Sequence, residues 1–179
     1  MPSFMPRPLF AVFTLLTFLV TSDPAMAGRC AGARVVQSAS RTLLAAANSG
    51  SPAAFHRALR RFVNIRTLSL FALGSHARRM TRRQRVQFVR LSVNYIARRL
   101  AQVSGSFRGA RARIVSCRPG LITSRLEPGG QTVLWRLRGR RIADMRIMGV
   151  WLAAFMRDHY RQLFDNAGGD ARRFLASLR

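Results

Sequence analysis

The sequence predicts an α+β fold in which N-terminal helices and one long central helix pack on a four-stranded antiparallel meander, with further helices at the C-terminus. Three observations carry this. Apolar residues recur at steps of three and four through residues 35–103, arginine alternates with apolar residues between glycine-containing breaks across 111–147, and helical spacing returns after Gly149. Helices and strands thus come in blocks, which separates the chain from parallel α/β folds, where the two alternate.

Before the first helix comes an address. Arg7 is followed by an apolar run at 9–20, then by Pro24 and Ala25-Met26-Ala27. A positive start, a short apolar core and small residues two apart match an export signal, with cleavage expected after Ala27. The run is shorter than the roughly 18 apolar residues that span a bilayer. Arg29 before Cys30 does not fit lipid-anchor cleavage, which needs a small residue there. Residues 1–27 are therefore read as the signal and 28–179 as one exported domain, long enough for a real core.

Residues 35–47 make the first helix, with Val35, Val36, Leu43, Leu44 and Ala47 apolar, and Asn48-Ser49-Gly50 ends it. Ser51 then stands as N-cap and Pro52 as first helical residue, positions that favour each. Phe55, Leu59, Phe62 and Val63 follow on the second helix, and a short helical segment after Asn64 runs to Gly74. The clearest start signal is Thr81-Arg82-Arg83-Gln84, a capping box in which the threonine hydroxyl accepts from the N–H three residues on while the glutamine reaches back. The long helix begins at Arg82. Val86, Val89, Val93, Ile96, Leu100 and Val103 form its apolar stripe, widened by Phe88, Leu91 and Tyr95, with arginines opposite. Arg85 stands where a hydrophobic staple with Met80 needs an apolar residue.

Four strand-like runs follow, at 111–117, 121–127, 131–138 and 141–147. Pro119-Gly120, Pro128-Gly129-Gly130 and Gly139 separate them. Val133, Trp135 and Leu137 share one face of the third run and Arg136 and Arg138 the other, so the meander should turn an apolar face to the helices and an arginine face to water. From Gly149 the helical pattern resumes with Val150, Leu152, Ala153, Phe155, Met156, Tyr160, Leu163 and Phe164. Ala167-Gly168-Gly169 stops it, and Asp170 caps a last helix bearing Phe174, Leu175 and Leu178.

Charge narrows the partners. All 31 basic residues are arginine, set against 6 acids, and the net charge is +25; losing Arg7 and Asp23 with the signal leaves it unchanged. Such an excess suits a polyanion, or reflects a source biased toward Arg, Ala and Gly. An exported protein meets anionic phospholipid and outer-leaflet glycolipid first. The arginines lack the aromatic interleaving of a strand-binding face, so no nucleic acid is expected. Cys30 and Cys117, the only cysteines, allow one disulfide in an oxidising compartment; the other reading is a buried Cys117 with a mobile Cys30.

Catalytic chemistry has little to stand on. Glu127, Asp144, Asp158, Asp165 and Asp170 are not paired at metal-binding spacing, and His56, His76 and His159 are isolated. Neither a nucleophile elbow nor a phosphate-cradling glycine loop occurs. No enzyme, metal or cofactor is expected. Apolar residues abound instead: Phe71, Leu73, Phe88, Leu91, Tyr95, Trp135, Leu137, Met145, Ile147, Val150, Leu152 and Phe155. They would fill an ordinary core, or line an apolar cavity between helices and meander that suits acyl chains.

Some of these residues carry a resemblance. Phe62-Val63-Asn64-Ile65, Phe71-Ala72-Leu73-Gly74, Thr81 with Gln84-Arg85 and Phe88, then Tyr95, and later Trp135-Arg136-Leu137-Arg138, Asp144-Met145, Gly149-Val150, Arg157 and Tyr160 resemble, in order and spacing, the MlaC or toluene-tolerance family of periplasmic phospholipid carriers, with the hopanoid-associated HpnM proteins as a branch. The likeness runs over about 35–178. Asn64, Ala77, Met148 and Trp151 depart from the family's usual residues, the last two near the expected pocket mouth. The resemblance implies a periplasmic carrier of phospholipid or a hopanoid-type lipid. It would shuttle between outer and inner membranes with an inner-membrane Mla-type ABC transporter complex and an outer-membrane lipoprotein complex. Arg78 and Arg146 are candidates for a headgroup phosphate, and Asp144 is expected to be a structural ion-pair partner of Arg157. The competing reading is an arginine-rich peripheral protein that binds anionic membrane or glycolipid surfaces without an internal pocket.

Overall fold

The computed structural model describes residue 30 and residues 32–179; the expected export signal at 1–27 lies outside the described residues. Among the described residues, six α-helices and five strands follow one another as α1 Ala33–Ser49, α2 Pro52–Phe62, α3 Ile65–Leu73, α4 Arg82–Val103, β1 Arg111–Arg118, β2 Leu121–Glu127, β3 Thr132–Arg138, β4 Arg141–Ile147, β5 Val150–Trp151, α5 Leu152–Asn166 and α6 Ala171–Ser177. The fold is α+β. Its sheet has five strands rather than four, in the order β1-β2-β3-β4-β5 with every neighbour antiparallel.

Local chemistry sets the helix starts. Ser51 accepts from the Ala54 N–H, Asn64 from Thr67 and Asp170 from Arg173. The capping box of α4 is complete: the Thr81 N–H donates to Gln84 Oε1 at 2.8 Å and the Gln84 N–H to Thr81 Oγ1 at 3.2 Å. A 3-10 turn, Gly74–Arg79, joins α3 to α4. In place of the missing staple, Arg85 Nη1 donates to the Ala77 carbonyl at 3.3 Å and ties α4 to that turn.

The fifth strand corrects the expected helix start at Val150. Met148 and Gly149, with φ of 50° and 82°, make a two-residue turn, and Ile147 pairs with Val150 and Arg146 with Trp151. A type I′ hairpin turn needs positive φ at both central residues, which is why Asn-Gly is its usual signal. Methionine in the first position hides it.

Helix α4 buries only part of its expected stripe, with Ser92 and Ala97 added. Phe88, Ser92, Val93, Ile96 and Ala97 are buried, whereas Val86 and Val103 are exposed. Val86 lines an open groove with Arg60, Arg66 and Arg90. Phe88 lies inside an aromatic group, its ring centroid 5.1 Å from Tyr160 and 5.8 Å from Phe174, which joins α4 to α5 and α6.

At the other end of the sheet α1 lies over β1. Cys30 and Cys117 are joined by a disulfide, with Cα atoms 6.1 Å apart. Next to it Gly32 has a φ of 104°, and a side-chain carbon there would come within 2.7 Å of Leu137 Cδ2. Glycine is favoured at this position for its conformation, and any side chain there would also require the end of Leu137 to shift. Among the described residues no helix is long and apolar enough to cross a membrane.

Candidate functional site

Between the C-terminal half of α1, the end of α4 and the inner face of the sheet lies an apolar cavity. Leu43, Leu44 and Ala47 of α1 line it from above, Leu126, Val133, Trp135, Met145 and Ile147 from the sheet, and Leu100, Val103 and Phe107 from the α4 end, with Phe55 of α2 behind. These side chains meet because strands put alternate residues on one face. Val133 pairs with Ile147 and Trp135 with Met145, so four lining residues are cross-strand neighbours.

Three lining residues carry a polar side-chain group, Ser40, Ser104 and Trp135, and each donates its hydrogen to a protein acceptor. Ser40 Oγ donates to the Val36 carbonyl at 2.6 Å and Ser104 Oγ to the Ala101 carbonyl at 2.7 Å. The Trp135 indole N–H donates to Ser124 Oγ at 2.8 Å. The wall therefore has no side-chain donor of its own left over for a polar ligand, and what it favours is hydrocarbon.

Its volume is about 70 Å³. A cavity of about 150 Å³ takes one benzene, so a few methylenes fill this one. A longer chain needs the α1 and α4 walls to move off the sheet.

Of the twelve residues proposed from sequence, Trp135, Met145 and Ile147 line this cavity. Leu73, Phe88 and Leu152 are buried elsewhere in the core, Leu91, Tyr95, Leu137 and Phe155 are half-buried, and Phe71 and Val150 are exposed. Arg78 sits exposed on the 3-10 turn and is not part of the lining. Arg146 is exposed on the outer sheet face, its Nε donating to the Gly149 carbonyl at 2.9 Å. The lining residues that sequence reasoning did not single out come mostly from α1 and the α4 end. Leu43, Leu44, Leu100 and Val103 were legible as apolar, but nothing local says that α1 crosses this part of the sheet.

The expected Asp144–Arg157 pair does not form. Asp144 is buried, and its Oδ1 accepts from the Met145 N–H at 2.9 Å and from the Ala153 N–H at 3.1 Å. Helix α5 has no side-chain cap from its own N-cap residue, Trp151, so a carboxylate from β4 supplies one to its first turn. Burial raises the Asp144 pKa above the ordinary carboxylate value, outweighing the two N–H bonds and nearby Arg136, which lower it. Arg157 instead stacks on Phe71, its guanidinium carbon 4.9 Å from the ring centroid, and donates to the Phe71 carbonyl at 3.1 Å.

At one end of the cavity the wall runs outward. Val133, Ile147 and Val150 stand side by side across β3, β4 and β5. Val133 is 3% exposed and lines the cavity, Ile147 is half-buried, and Val150 is 52% exposed at the sheet edge. Val103, also in the lining, is 54% exposed.

The model of the family described as MlaC protein matches residues 35–179. A solved phospholipid-binding protein from Ralstonia solanacearum, described in complex with a phospholipid, shares the fold with a TM-score of 0.65 at 16% identity, over 81% of this chain and 93% of that one. A comparison with curated proteins finds no significant relative.

Proposed function

This chain belongs to the MlaC family, and from that premise we propose that it is a non-enzymatic periplasmic carrier that holds phospholipid acyl chains in the cavity beneath α1. One observation carries the reading: the lining is apolar apart from Ser40, Ser104 and Trp135, whose donors are all engaged within the protein, so the cavity favours apolar matter. Each methylene moved from water into such a wall is favourable by about 0.8 kcal/mol. A chain of many methylenes then offsets the cost of parting α1 from the sheet. The disulfide beside Gly32 fixes the N-terminal end of α1 to β1, so the parting occurs at the other end, where the lining lies.

The headgroup stays outside this wall, where exposed arginines such as Arg146 offer forked donors to phosphate. Removal of residues 1–27 on export, and exchange of lipid with an inner-membrane Mla-type ABC complex and an outer-membrane lipoprotein complex, complete the proposed cycle. The Ralstonia protein, described as phospholipid-bound and of the same fold, supports the ligand class.

Native mass spectrometry of residues 28–179, exported in a Gram-negative host and purified in high salt, tests the reading. The expected result is a one-to-one adduct that solvent extraction identifies as diacyl or hopanoid lipid. Protein that remains lipid-free after incubation with phospholipid vesicles would overturn it.

A further inference from the structure

We propose that the β4–β5 hairpin is a membrane-docking tip that enters the interface of an anionic phospholipid bilayer and joins it to the cavity. The proposal rests on reading the cavity as an acyl site, and it adds where the lipid enters. Met148, at the turn, is 69% exposed, more than any other large apolar residue described, and it holds a positive φ that side chains other than Gly, Asn and Asp seldom adopt. A bulky side chain held at such a φ is the kind of backbone outlier that collects at functional sites.

Around the tip the chemistry is that of a lipid interface. Val150 adds a second exposed apolar side chain. On the opposite face of the hairpin, Trp151 is half-buried beneath the Arg136 guanidinium, 4.2 Å from its ring centroid, and Arg146 is its cross-strand neighbour. Tryptophan and arginine beside short apolar anchors are the residues that settle at the headgroup level, the ring between water and hydrocarbon and the cation on phosphate. The chain's net charge of +25 draws the molecule to an anionic surface.

The register supplies the link to the cavity. Val150 continues the row of Ile147 and Val133, which leads without a polar interruption from the exposed edge into the lining. An acyl chain leaving a bilayer in which Met148 and Val150 are seated can follow that row and avoid water. A protein partner would have to offer both an apolar socket for Met148 and acids for the arginines. A bilayer offers the equivalents of both, and the acyl chain as well.

The test is flotation of the wild-type protein and of Met148→Glu with vesicles of three parts phosphatidylcholine to one part phosphatidylglycerol, beside calorimetry with monomeric dihexanoyl phosphatidylcholine. The wild type is expected to float, Met148→Glu to partition at least tenfold less, and both to bind the short-chain lipid alike. A wild type that stays in solution, or a Met148→Glu protein that floats as well, overturns the docking tip even if the short-chain lipid binds, and in that case the carrier reading stands. A wild type that floats but takes no short-chain lipid overturns the carrier reading and the entry route with it. Should Met148→Glu fail to fold, Met148→Cys carrying a polarity-sensitive dye replaces it. A blue shift on vesicles is then expected, and unchanged emission overturns the proposal.

Discussion

Asp144 sits at the strand–helix junction as a buried carboxylate whose hydrogen bonds come from peptide groups, although arginine surrounds it in the sequence. Asp144→Ala strands the N–H groups of Met145 and Ala153, at a cost on the order of 1–3 kcal/mol for each buried donor left unpaired. Asp144→Asn keeps the accepting oxygen and should lose less. Titration separates the charge from the bonds. Because burial raises the folded pKa above the unfolded value, the folded state holds the proton longer, and stability falls as pH rises from about 4 through the raised pKa. Urea denaturation of wild type and Asp144→Asn should show their difference shrinking over that window as pH rises, and a flat difference would contradict the raised pKa. Sequence marked Asp144 as structural because it is a lone acid among arginines. It could not show the partner, since backbone donors come from every residue and leave no trace in side-chain chemistry. Gly32 is similar: the side chain it lies against, Leu137, is far along the chain.

Helix α1 roofs the cavity with its C-terminal half, and a substitution there separates packing from carriage. Leu44→Trp puts a ring into the space beneath α1, which removes room for acyl chains without exposing polar groups. We expect the lipid adduct in native mass spectra to vanish while the thermal midpoint stays within a few degrees of wild type; a large fall would mean overpacking instead. Elements that announce themselves locally were legible. The capping box of α4, the Ser51-Pro52 start of α2 and the glycine-bounded strands depend on neighbours in sequence. Strand β5 and the cavity roof were not, because the hairpin places methionine at a position of positive φ and the roof depends on where α1 crosses the sheet. The exposure of Val86 has the same cause: its helical direction resembles that of buried Val93, but it lines an open groove.

For the whole molecule the disulfide and the charge make separable predictions. Cys30 and Cys117 are 87 positions apart in sequence, and closing so long a loop in the unfolded chain typically contributes about 2–4 kcal/mol. Cys30→Ser with Cys117→Ser should lower the unfolding free energy by that order and speed lipid transfer between vesicles, since the end of α1 opposite the lining is no longer fixed. Equal denaturation midpoints and equal transfer rates would show that the bond does neither.

Charge governs approach and hydrocarbon governs holding, so salt should act on one and not the other. At 1 M salt the Debye length is about 3 Å, and the attraction of a +25 protein for an anionic bilayer is largely screened. Apolar burial has no such dependence. The rate of lipid transfer between anionic vesicles should therefore fall several-fold as sodium chloride rises from 50 to 500 mM, while the fraction of protein that keeps its lipid through a high-salt wash stays constant. Lipid that washes off with salt would place it on the arginine-bearing outer face, among Arg113, Arg125 and Arg136, which are all exposed. Such a result would favour a surface-binding protein over a carrier. Lipid that stays while transfer slows would show two steps with different physics, an electrostatic encounter at the membrane and apolar retention beneath α1.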